Sequence, residues 1–215
     1  MKRLALALSL LAAPAWGQDK PNFDPSAPAA PGAVQLYLSA IALYRQGVTA
    51  QDPLMVVTAA EMLRGLNQTA VQRQPEGQTQ ADGVAIEPLL PQAMFDTARQ
   101  IDAGGNYTDL IEMKAQEIAP SGPTLGTTPA HLEPGASDTW MLAFFGGAYA
   151  EVAIIGDSSG NLDVTVADAA GNPVCIDNGA ADRAYCGFVP LENGDFEVTV
   201  TNPGKTPDSY MLVTN

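Results

Sequence analysis

Near residue 120 the spacing of apolar residues changes from a helical period to a strand period, and that change constrains the fold more than any other feature of the chain. Before it, Tyr37, Ile41, Tyr44 and Val48 recur at spacings of four, three and four, which stacks them on one face of a helix. Asp52-Pro53 supplies a cap and a first-turn proline for a second helix, in which Met55, Ala59, Met62 and Leu66 repeat the pattern. A third helix is predicted after Pro88, carrying Leu90, Met94, Thr97 and Ile101 and stopping at Gly104-Gly105. Asn106 with Asp109 opens a fourth, which places Ile111, Ala115 and Ile118 on a shared face. Short connections make these antiparallel hairpins.

After the change the period is two. Trp140, Leu142 and Phe144 alternate with other residues, and so do Val152 and Ile154, then Leu162, Val164 and Val166, then Phe196, Val198 and Val200, then Tyr210, Leu212 and Thr214. Clusters of Gly, Asn, Ser and Pro separate them at intervals that suit an antiparallel sandwich. The predicted fold class is therefore α+β by separate domains: α-helical hairpins, about four helices over 32–119, followed by an antiparallel β-sandwich or jelly roll over 131–215. Three prolines, two glycines and four Ser or Thr fill 120–129, so 120–130 is expected to be a linker. Residues 18–31, with four prolines, are expected to be a flexible lead-in, and the Gln-rich stretch 67–87 a mobile loop.

Residues 1–17 open with Lys2-Arg3, continue with an apolar run from Leu4 to Ala13 and end in Pro14-Ala15-Trp16-Gly17. That order predicts a secretory signal peptide cleaved between Gly17 and Gln18, which would leave the mature protein in the periplasm or outside the cell. No later stretch is long and apolar enough to predict a transmembrane segment. The net charge of −14 argues against nucleic acid, because phosphate binding needs clustered Lys and Arg. Within 131–215 two basic residues stand against twelve acidic ones, so the negative charge concentrates in the β half.

Cys175 and Cys186 are the only cysteines. A hairpin turning at Gly179-Ala180-Ala181-Asp182 would set them opposite each other at cross-strand distance, within disulfide reach. Export to an oxidising compartment favours the bridge. Neither C-x-x-C spacing nor a flanking positive charge marks them as a redox pair.

Several strings in the β half, taken in order, resemble the bacterial pre-peptidase C-terminal domain. These are His131-Leu132-Glu133-Pro134-Gly135-Ala136-Ser137-Asp138-Thr139-Trp140, Gly160-Asn161-Leu162-Asp163-Val164-Thr165-Val166, Asp168-Ala169-Ala170-Gly171-Asn172, Asn193-Gly194-Asp195-Phe196-Glu197-Val198-Thr199-Val200 and Ser209-Tyr210-Met211-Leu212-Val213. The resemblance covers 131–215 and leaves the helical half outside. It implies a sandwich or jelly roll that serves secreted enzymes as a non-catalytic accessory or binding module, some members of which bind calcium. Phe196 stands where the family prefers Tyr, and the cysteine pair is not a usual family feature.

Candidate chemistry is sparse. Gly156-Asp157-Ser158-Ser159-Gly160 satisfies the nucleophile-elbow pattern, but a strand follows it and the single His, His131, precedes it. Asp157, Ser159, Asn161 and Asp163 alternate, and Asp168 is twelfth from Asp157, which is the ligand spacing of a calcium loop. Leu162, however, stands where such a loop has Gly, and Asp and Asn also suit an ordinary turn. Trp140 is in phase with Leu142 and Phe144, so it is expected in the core. The sequence thus favours an exported, non-enzymatic binding protein without a required cofactor, whose partner is an envelope protein or glycan. The alternatives are a hydrolase using carboxylates such as Glu61, Asp96 or Glu112, and a calcium-responsive structural module.

Overall fold

The computed structural model describes residues 20–27, 32–76, 86–157 and 160–215. The expected leader and its cleavage site lie outside the described residues. Four helices, α1 (Ala33–Ala50), α2 (Pro53–Arg64), α3 (Pro91–Ile101) and α4 (Thr108–Gln116), accompany nine strands. These are β1 (Asn67–Ala70), β2 (Thr124–Leu132), β3 (Ser137–Phe144), β4 (Ala150–Gly156), β5 (Asp163–Asp168), β6 (Pro173–Asp177), β7 (Arg183–Phe188), β8 (Gly194–Thr201) and β9 (Asp208–Thr214). One sheet has the order β1-β2-β9-β4-β7 and the other β3-β8-β5-β6. All pairings are antiparallel except β1 with β2.

The helices lie on the outer face of the five-stranded sheet. Ala153 and Ile155 of β4, Met211 and Val213 of β9 and Leu125 of β2 pack into one cluster with Val34, Tyr37, Val56, Leu63, Met94, Phe95 and Ile111. Their neighbours in sequence, Val152, Ile154, Tyr210 and Leu212, point the other way and join Trp140, Phe144, Phe188 and Phe196 between the sheets. The protein is thus three layers deep: helices, five strands, four strands. Burying each large apolar side chain contributes roughly 1.5–3 kcal/mol.

Local sequence explains the helix boundaries. Asp52 accepts hydrogen bonds from the N–H groups of Leu54 at 2.9 Å and Met55 at 3.3 Å, and Pro53 occupies the first turn. The buried face of α2 is Val56, Val57, Ala59, Ala60 and Leu63; of the predicted stripe, Ala59 and Leu66 are buried, Met62 packs half-buried against the same cluster, and Met55 is half-buried at the edge of the face. At the other hairpin, Asp102 receives the backbone N–H groups of Asn106 and Tyr107, both at 3.0 Å, so the turn is organised from the end of α3. Helix α4 stops at Gln116, which leaves Ile118 fully in solvent at 95% rather than on the predicted face.

Three expected flexible stretches carry structure. The linker 120–130 contains most of β2, which pairs with β9 from Gly126 to Leu132. Its prolines do not prevent this, because Pro120 and Pro123 precede the strand and Pro129 lies beyond the residues paired with β1. The Gln-rich loop begins with β1, an exposed edge strand whose parallel partner supplies the order that its own composition lacks. In the lead-in, Asn22 accepts the Glu192 N–H at 2.9 Å, donates its side-chain amide to the Glu192 carbonyl at 3.2 Å and gives its backbone N–H to Asp168 at 2.8 Å. These bonds dock residues 20–27 on the sandwich. Residues 28–31 and 77–85 fall outside the described residues.

The disulfide forms between Cys175 and Cys186, with Cα atoms 5.8 Å apart, but the two are not a hydrogen-bonded hairpin pair. Cys175 is opposite Val166 in the four-stranded sheet, whereas Cys186 is opposite Val152 in the five-stranded sheet. The bridge therefore ties one sheet edge to the other across the sandwich mouth. Closing so short a loop stabilises the fold by about 3 kcal/mol on a chain-entropy account.

Candidate functional site

One anchored junction positions a candidate binding surface. Glu151 of β4 points to the helical side and is fully buried. Its carboxylate accepts the N–H of Val34 at 3.2 Å and of Gln35 at 3.1 Å, and so caps α1 from another layer of the molecule. It also accepts the Tyr185 hydroxyl at 2.9 Å. Burial first, and then the neighbouring Tyr149 and Glu151, push the Tyr185 phenol far above its usual range, so it stays a neutral donor. Gly32 is required here because a Cβ would overlap the Glu151 carboxylate.

Beside this junction α1 and the β6–β7 connection enclose an open groove of about 380 Å³. Gln35 and Ser39 line it from the helix, Asp177, Arg183 and Tyr185 line it from the strands, and small residues such as Ala42 and Ala184 leave room between them. Its strand wall is rigid for identifiable reasons. Asp177 accepts the N–H groups of Gly179 at 3.2 Å and Tyr185 at 2.9 Å, and the disulfide holds β6 to β7. Nearby, Arg45 joins helix and strands by an ion pair to Asp182 at 2.6 Å and a bond to the Gly156 carbonyl at 2.9 Å. A groove of this size, with both charge signs on a small-residue floor, suits a polar chain more than an apolar small molecule.

The residues of the calcium pattern do not assemble as one set. Asp163 and Asp168 sit at opposite ends of β5, about 17 Å apart for five strand steps. Asp168 instead closes its own turn, accepting the N–H groups of Ala170 at 3.0 Å and Asn172 at 2.9 Å besides that of Asn22. Burial would raise its pKa, but the bonds from Asn172, Asn22 and Ala170 outweigh that and hold it below the usual value. Ser159 lies outside the described residues, as does Ser158 of the nucleophile-elbow pattern. Asn161 donates its amide to Asp163 at 3.3 Å. Asp157 meets a residue that the spacing did not suggest, since its N–H donates to Asp208 Oδ1 at 3.3 Å. Asp208, at the start of β9, is fully buried. Burial, then the charges of Asp157 and Asp182, push its carboxyl up to about 6. Its sequence signal was an acidic residue opening an otherwise apolar strand, which a turn aspartate also produces.

The helical carboxylates are taken up by arginines. Glu61 and Glu117 both pair with Arg64, which is itself buried over the Phe95 ring. Asp96 and Glu112 pair with Arg99 at 2.6 and 2.7 Å, and the guanidinium hydrogen bond lowers the Glu112 pKa. Neighbouring arginines suit a lasting negative charge, not the separated pKa values of an acid and base pair. His131 is on β2, with Nδ1 3.0 Å from Ser209 Oγ. Trp140 is buried and donates its indole N–H to the Tyr210 hydroxyl at 3.0 Å. That hydroxyl in turn donates to buried Asp138 at 2.5 Å, and desolvation raises the Asp138 pKa. Among the described residues no helix is long and apolar enough to cross a membrane.

No protein-family profile matches the chain, and comparison with curated proteins returns no relative. Some solved structures match part of the chain. The pre-peptidase C-terminal domain of a Bacillus anthracis collagenase matches at 15% identity and a TM-score of 0.33, covering 40% of this chain and 86% of that one. A periplasmic inhibitor of g-type lysozyme from Aeromonas hydrophila matches at 13% identity and 0.31, covering 42% and 86%. A carbohydrate-binding module in complex with calcium and xylotriose matches at 15% and 0.28, covering 45% and 82%. The functional argument rests on the side chains.

Proposed function

We propose that this is an exported, non-enzymatic binding protein of the cell envelope, which holds a segment of a partner protein in the groove between α1 and the β6–β7 connection. The observation that carries this reading is the groove itself. It runs beside β7, an edge strand of the five-stranded sheet; the Tyr185 N–H on that edge is already held by Asp177, so a bound segment would be gripped by the side chains that line the groove. Arg183, Asp177, Gln35 and Ser39 offer charges and hydrogen bonds to side chains of such a segment. The disulfide fits an oxidising compartment, and the leader read from residues 1–17 supplies the route to it. The ion-paired carboxylates of the helical layer support a binding role over hydrolysis.

The test uses the mature chain, residues 18–215, with Ala42→Trp to fill the groove and Arg183→Glu to reverse its charge. Photo-crosslinking from a probe at Ser39 in intact envelopes is expected to yield one discrete adduct, at least tenfold weaker with either substitution. Equal adducts in all three proteins would refute the groove as the docking site. Saturable binding of an envelope glycan that Ala42→Trp abolishes would replace the protein partner with a glycan.

A further inference from the structure

The polar groups around the groove are not equally committed. Each carboxylate oxygen of Asp177 already accepts a backbone N–H, from Gly179 at 3.2 Å and from Tyr185 at 2.9 Å. Asp182 is ion-paired to Arg45 at 2.6 Å, and the other terminal nitrogen of Arg45 donates to the Gly156 carbonyl at 2.9 Å. The Ser39 hydroxyl donates to the Gln35 carbonyl at 2.8 Å and the Tyr185 hydroxyl donates to Glu151. Arg183 is the exception. Among the described residues its guanidinium has neither an ion pair nor a hydrogen bond, and the residue is exposed. It stands opposite Ile155 in the β4–β7 ladder, and Ile155 belongs to the cluster beneath the helices. Directly opposed residues project from the same face of a sheet, so Arg183 leaves the strand on the side of α1. On the helix wall the Gln35 side-chain amide also has no partner among the described residues.

The groove thus holds uncommitted donors, one of them charged, in a chain whose net charge is −14. From this arrangement we infer that the segment it binds carries a single carboxylate, gripped by Arg183 from β7 while the Gln35 amide donates from α1. The planar guanidinium fork matches the two oxygens of a carboxylate. One positive charge compensates one negative charge. A phosphate or a run of acidic residues would bring more charge than Arg183 can neutralise, against the field of a strongly acidic protein. An apolar or cationic segment would cover the guanidinium without pairing it. Arg183 is therefore a specificity-determining residue. The carboxylate belongs either to an Asp or Glu side chain of the segment or to its C-terminus. The inference rests on the groove reading proposed above and adds the chemistry of the occupant.

The experiment titrates the isotope-labelled mature chain with three pools of N-acetylated pentapeptides whose remaining positions are uncharged, and follows the backbone amide signals of Ser39, Gly179 and Tyr185. One pool has a central Glu and an amidated C-terminus, one a central Gln and an amidated C-terminus, and one a central Gln and a free C-terminal carboxylate. At least one carboxylate pool is expected to bind about fivefold or more tightly than the neutral pool, and the better of the two identifies the source. Arg183→Gln should erase that preference and Arg183→Lys should restore part of it. Equal affinity for all three pools, or a preference that survives Arg183→Gln, overturns the carboxylate while the groove still binds peptide. No shift with any pool up to about 10 mM overturns it as well. The groove reading then stands if the Ser39 adduct still forms and Ala42→Trp weakens it, and it falls too if no adduct forms.

Discussion

The two sheets of the sandwich live in different surroundings, and their sequence patterns differ accordingly. The four-stranded sheet has one face in the core and one in water, so β3 and β8 read as alternating buried and accessible residues. The five-stranded sheet is covered twice, by the other sheet and by the helices, and its β4 and β9 are buried at every position. An antiparallel strand covered on both faces loses its alternation and becomes a continuous apolar run. The difference shows that the helices serve as the second wall of the sheet.

Glu151→Ala tests that division most severely. It removes the cap of α1 and leaves buried donors from Val34, Gln35 and Tyr185 without their acceptor, an expected loss of about 4 kcal/mol in urea unfolding. A loss under about 1 kcal/mol would mean that the helical layer is held by apolar packing alone. A smaller effect separates two methionines. Met211 is buried on the helix side of β9, and Met141 is 44% exposed on the water side of β3. Met211→Ala should cost about 3 kcal/mol and Met141→Ala under about 0.5 kcal/mol. Equal costs would break the comparison.

A pH-dependent effect belongs to the four-stranded sheet. Because hydrogen bonds hold the folded Asp168 pKa below its unfolded value, its contribution is present above the unfolded pKa, about 3.9, and is lost as pH falls through the folded one. Asp168→Asn should cost about 1 kcal/mol at pH 7 and flatten the decline in stability below about pH 4, as measured by melts across pH. An unchanged acid limb would show that the turn does not depend on that charge.

Much of this plan was legible in the chain. The change of period near residue 120, the Asp52-Pro53 helix start and the pairing of the two cysteines all express local rules, and the structure contains each. What was not legible depended on partners distant in sequence. Nothing in Asn67–Ala70 announces a strand until β2 lies beside it, and Pro129 reads as linker until β2 is known to pair there with β9 alone. Val152 and Ile154 were recognisable as inward residues, but Ala153 and Ile155 between them were the sign of a second covered face. Glu151, an acid within that apolar run, was the clearest missed signal for the junction. Asp208 was hidden because the residue it meets, Asp157, lies about fifty positions earlier.

The position of β9 has a consequence for how the protein comes apart. Although the last strand in the sequence, it lies between β2 and β4 and contributes to both hydrophobic clusters. Neither the helical layer nor the sandwich can close until residues 208–214 are in place between β2 and β4. One strand thus couples the two hydrophobic clusters, so detaching it would open both layers together rather than one of them.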